Sequence, residues 1–92
     1  MAEERAATPG WVEQRLDEIL AAHPVGAAGP ACRAAYLACL ADCRGAIDAE
    51  AGHDRCRAAF LRCLREKETP HALVDALAPE LEDLEAEISE RT

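Results

Sequence analysis

Five cysteines lie between residues 32 and 63 of this 92-residue chain, and their spacing admits disulfide bonding, metal ligation by thiolate or nucleophilic catalysis. Cys32 and Cys39 are separated by six residues, as are Cys56 and Cys63. Seven steps along an α-helix return to within about 20° of the starting direction, so each pair lies on one helix face. Tyr36 and Leu40 extend the first face, and Phe60 and Leu64 extend the second. The cysteine faces are therefore also the apolar faces of two helices.

Between the pairs, Gly45, Asp48 and Gly52 offer a helix C-cap, an N-cap and a further turn point, which predicts a helical hairpin. Antiparallel helices oppose residues placed symmetrically about the fold point. Cys32 with Cys63 and Cys39 with Cys56 share one midpoint, between Ile47 and Asp48. No two-bridge pairing that uses Cys43 shares a midpoint, so the disulfide reading selects Cys32–Cys63 and Cys39–Cys56 and leaves Cys43 a free thiol. Bridged helices must approach closely, and Ala35, Ala38, Ala58 and Ala59 beside the pairs are the small neighbours expected to permit it. Closing the inner loop is worth about 3 kcal/mol in the chain-entropy model.

The alternative chemistry is a metal site. Cys43 lies one helical turn after Cys39 and His53 lies three residues before Cys56, so Cys39, Cys43, His53 and Cys56 form a Cys3His set suited to structural zinc, while Cys39 and Cys43 alone suit Cu(I). That reading gives Cys32 and Cys63 no task. Catalysis has less to stand on: nothing identifies an orienting residue or an oxyanion site beside Cys43, so the chain reads as non-enzymatic and without a cofactor. The run Arg55, Arg57, Arg62, Arg65 and Lys67 spreads over several helical directions, as a solvated basic face able to pair with the chain's own acids. His23 and His71 sit at helix ends, where exposure is expected, and Trp11 reads as an apolar anchor.

The elements that must hold this hairpin belong to one domain of three parts. Residues 1–29 form an N-terminal helix and linker, with Thr8 as N-cap, Pro9 in the first turn, a stripe of Val12, Leu16, Ile19 and Leu20, and a stop at Pro24. Residues 30–67 are the cysteine hairpin. Residues 68–92 open on Thr69-Pro70 and are expected to break again at Pro79, with Leu77, Leu81, Leu84 and Ile88 striped through an acidic helical tail. The three parts carry charges of −3, +2 and −7, for a net −8. Such a balance excludes a general nucleic-acid binder, which needs a basic face for phosphates. No apolar run approaches the ~20 residues of a membrane span. The first residues, Met-Ala-Glu-Glu-Arg, predict neither a secretory signal nor a typical mitochondrial presequence. Ala supplies 21 of the hydrophobic residues, so the core is thin and the chain is expected to need staples or a partner. The stripe Leu77, Leu81, Leu84 and Ile88 is accordingly the expected partner-binding surface.

Matched cysteine pairs on an antiparallel helical hairpin, bridged outer to outer and inner to inner, resemble the coiled-coil-helix-coiled-coil-helix (CHCH) proteins of the mitochondrial intermembrane space. The resemblance spans residues 32 to 63 and is carried by Cys32, Cys39, Cys56 and Cys63, with C-x6-C twice where the family has C-x9-C or C-x3-C. It implies an all-α fold, import without a cleaved presequence, oxidative trapping through the two disulfides, and work as a non-catalytic accessory or assembly subunit, for instance of a respiratory-chain complex. The alternative chemistry implies a small zinc- or copper-binding protein of the cytoplasm.

Overall fold

The computed structural model describes residues 10–26, 29–43 and 48–91. Among them the chain forms four helices and no strand: α1 (Gly10–Ala22), α2 (Gly29–Cys43), α3 (Ala49–Glu66) and α4 (His71–Arg91). This is an all-α fold in which a disulfide-stapled hairpin, α2 and α3, is flanked by amphipathic helices. Thr8, Pro9, Gly45 and Ile47 lie outside the described residues, while Asp48 holds the N-cap position of α3 without a side-chain cap bond.

The α3–α4 corner is set by backbone geometry. Glu68 adopts a left-handed φ of 67°, and the N–H groups of Glu68 and Thr69 donate to the carbonyls of Arg65 and Leu64 at 2.9 and 3.0 Å. That is the Schellman closure of a helix, in which one left-handed residue satisfies the last carbonyls. Pro70 then opens α4, accepting from the N–H groups of Leu73 and Val74 at 3.1 Å. Thr69, which with Pro70 opens this part of the chain, has its hydroxyl buried without a hydrogen-bond partner, so the corner is capped by backbone alone.

The expected break at Pro79 does not occur, because α4 runs through it. A mid-helix proline costs roughly 3 kcal/mol. Val74, Leu77, Leu81, Leu84 and Ile88 on either side are all buried, and each such burial contributes about 1.5–3 kcal/mol, so packing outweighs the lost backbone bond.

The helices pack in sequence order, α2 on α3 and α3 on α4, and α4 packs against α1. Val12, Leu16 and Ile19 of α1 share one core with Tyr36, Leu37 and Leu40 of α2, Phe60 and Leu64 of α3 and the α4 stripe. This overturns the assignment of Leu77, Leu81, Leu84 and Ile88 to a partner surface: the first three are fully buried and Ile88 is 8 % exposed. The tail folds back because α1 and the hairpin offer it a continuous apolar seat, Leu37 included. Arg33 ties α2 to α1 through Asp17 at 2.8 Å, and Arg15 ties α1 to Glu87 of α4 at 2.6 Å.

The alanines also fall elsewhere than expected. Ala35, Ala38, Ala58 and Ala59 are exposed. At 100° per residue the buried arc of α2 runs from Cys32 through Tyr36 and Leu40 to Leu37 and Ala41, whereas Ala35 and Ala38 turn the opposite way from Cys32. They fill solvent positions with a strong helix former rather than easing the helix contact.

Candidate functional site

Two clusters stand out among the described residues. The first is sulfur. Cys32 is joined to Cys63 and Cys39 to Cys56, with Cα–Cα separations of 5.8 and 5.6 Å, so both bridges run between α2 and α3 in the register of the shared midpoint. Cys43 is a free, half-buried thiol one turn beyond Cys39. Its Sγ lies 3.9 Å from Cys56 Sγ, a contact in which only Cys43 carries a proton to donate. Gly52, one turn before Cys56 on α3, gives this thiol its seat: a Cβ there would collide with Cys43 Sγ.

The Cys3His set of the alternative reading is corrected by these bonds. Cys39 and Cys56 are spent on each other, and a metal would be left with Cys43 and His53 of the four. Among the described residues no group of three or more His, Cys, Asp or Glu side chains is arranged to hold a metal ion.

The second cluster is polar and joins three helices. Tyr36 of α2 donates from its hydroxyl to Glu85 Oε2 at 2.5 Å, and Arg57 of α3 donates to Glu85 Oε1 while its second nitrogen reaches Asp54 at 2.8 Å. The Glu85 side chain is 6 % exposed and that of Arg57 19 %. Burial pushes the Glu85 carboxyl above its ordinary range, although the Tyr36 hydroxyl and the Arg57 guanidinium pull it back. Burial also drives the Tyr36 hydroxyl far upward, helped by the adjacent Glu85 charge, so it remains a donor at any working pH. Burial of Arg57 opposes its charge, but Asp54 and Glu85 outweigh that effect and hold its pKa up. His53, a buried residue of the groove between α3 and α4, is lowered chiefly by burial.

The groove, of about 520 Å³, opens between α3 and α4 and is lined by Glu50, His53, Asp54, Arg57, Glu82, Glu85, Ala86, Ser89 and Glu90. Arg57 thus realises the pairing expected between the basic hairpin face and the acidic tail. Arg55, Arg62, Arg65 and Lys67 remain exposed. His23 lies 3.8 Å from Glu80, His71 is exposed, and Trp11 packs against the core with the Arg91 guanidinium 4.3 Å above its ring.

Glu85 was not foreseen. Read as one of many solvated acids, it falls four residues after Leu81 and three before Ile88, within the angular span of the apolar stripe. That position was the available signal. Its neighbours along the groove rim, Glu82 and Glu90, fall outside the stripe and are exposed.

No described helix is long and apolar enough to cross a membrane. Fold and clusters together define a disulfide-stapled helical bundle with a buried Tyr–Glu–Arg bridge. Compared with protein-family profiles, with curated proteins and with solved structures, the chain matches none.

Proposed function

We propose that this chain is a non-catalytic accessory or assembly subunit of a larger protein complex, a rigid helical scaffold working in an oxidising compartment. The two bridges between α2 and α3 carry this reading, because disulfides persist where thiols are not kept reduced. The resemblance to the CHCH proteins points to the mitochondrial intermembrane space as that compartment, and to a respiratory-chain complex as the kind of assembly joined. Among the described residues the buried polar groups Tyr36, Glu85 and Arg57 satisfy one another inside the bundle, as structural groups do.

With the apolar stripe of α4 turned inward, the partner surface is its outer face. Asp75, Glu82, Asp83 and Glu90 are exposed there, and such a face selects a basic protein surface rather than nucleic acid. The test is native fractionation of cells expressing the tagged chain, beside a Glu82→Lys, Asp83→Lys, Glu90→Lys variant. The expected result is migration with a large assembly for the parent and alone for the variant, with equal melting temperatures of the purified proteins. A parent chain that runs at its own 9.9 kDa mass overturns the reading.

A further inference from the structure

We propose that Cys43 is the attacking thiol of an internal thiol–disulfide exchange that moves the inner staple of the hairpin from Cys39–Cys56 to Cys43–Cys56. The argument begins with α2. Cys39 and Cys43 are four residues apart, hence one turn apart on one face, and both look toward the same stretch of α3. Cys56 stands between them, bonded to Cys39 and 3.9 Å from the Cys43 sulfur. A new bond needs the two sulfurs to close by roughly 2 Å, to the ~2.05 Å of a disulfide.

Gly52 is the second, independent observation. Glycine inside a helix is less favourable than alanine, yet α3 places one where any side chain would strike Cys43 Sγ. The missing Cβ lets the thiol lie against the α3 backbone, one turn from the bond it attacks.

The reaction is redox-neutral. Cys43 loses its proton to solvent and its thiolate attacks Cys56 Sγ; the Cys43–Cys56 bond forms, the Cys39–Cys56 bond breaks, and Cys39 leaves with the electron pair and takes up a proton. Cys56 is the sulfur attacked because it is the one in contact. The sequence separation bridged falls from 17 to 13, a difference that favours the new isomer by about 1.5-fold in loop-closure terms. Neither register dominates on that ground. The exchange hands the free thiol from Cys43 near the turn to Cys39, which is half-buried within the hairpin, while Cys32–Cys63 holds the helices together throughout. This inference stands apart from the partner reading above.

The experiment uses the full oxidised chain. It is held at about pH 8.5, where thiols ionise, then quenched at about pH 4, labelled with an acid-active thiosulfonate and digested with pepsin without reduction. The expected result is label on both Cys43 and Cys39, within about tenfold of each other, appearing at a rate independent of protein concentration. Gly52→Ala is expected to slow the appearance of label on Cys39 by displacing the attacking sulfur. Label confined to Cys43 after hours at the alkaline pH overturns the proposal. So does a rate proportional to protein concentration, which marks exchange between molecules, or an unchanged rate in the Gly52→Ala chain.

Discussion

The Tyr36 hydroxyl and the Glu85 carboxylate meet at 2.5 Å inside the bundle, linking α2 to α4, two helices that both pack on α3. A hydrogen bond to a charged group contributes about 1.5–3 kcal/mol, more than one between neutral groups. Tyr36→Phe keeps the ring, including its tilted contact with Phe60 at 4.9 Å, and removes only the donor. The variant should lose about 1.5–3 kcal/mol in urea denaturation, with both disulfides intact. An unchanged midpoint would mean that Arg57 alone satisfies Glu85.

His53 and Glu85 respond to pH in opposite senses. The His53 pKa is lowered by burial, so its contribution is present above the unfolded value of about 6.5 and is lost as pH falls through the folded value. The Glu85 pKa is raised, so its contribution is present at low pH and is lost as pH rises through the folded value. The His53 loss sets in on acidification below about pH 6.5 and the Glu85 effect opposes it, so the parent–variant difference isolates His53: His53→Gln should lose less melting temperature than the parent over that range. A variant whose melting temperature drops as steeply as the parent's would remove His53 as its source.

Glu68 pays for the α3–α4 corner with backbone strain, since a side-chain-bearing residue in the left-handed region costs roughly 1 kcal/mol. Glu68→Gly removes the strain and keeps both capping bonds, which are made by backbone. The expected gain is about 0.5–1 kcal/mol, while Glu68→Val should be destabilising because β-branching worsens the same conformation. Chemical denaturation of the pair checks the sign of each.

The hairpin was legible because cysteine spacing encodes two things together: a seven-residue step fixes one helix face, and a shared midpoint fixes the partner. The flanks carried less. Val12, Leu16 and Ile19, or Leu81, Leu84 and Ile88, announce a buried stripe equally well whether it is covered by the same chain or by another, because periodicity reports burial and not its source. Pro79 misled for a related reason: its local cost is real, but packing of Leu77 and Leu81 on either side decides the outcome. Glu85 was hidden by composition, one acid among eight in the last 25 residues, and only its angular place beside Leu81 and Ile88 set it apart. The nearness of Cys43 to Cys56 was legible in the same spacing, which set both in the Cys3His group; the 3.9 Å approach of the free thiol to a sulfur already bonded to Cys39, over the bare Gly52, was not.

The seating of α4 on its own chain has a direct consequence for stability. Leu84 is fully buried among α1, the hairpin and α4, and truncating such a leucine removes transfer free energy and leaves a cavity. Leu84→Ala should cost about 2–5 kcal/mol, a large share of the roughly 5–14 kcal/mol available to a domain of this length. Had α4 been a docking helix, the same change would weaken assembly and leave the isolated chain untouched. Denaturation of the purified variant, followed by circular dichroism at two protein concentrations, separates these outcomes. A concentration-independent loss of midpoint places Leu84 in the chain's own core, whereas an unchanged midpoint would return the α4 stripe to the partner surface.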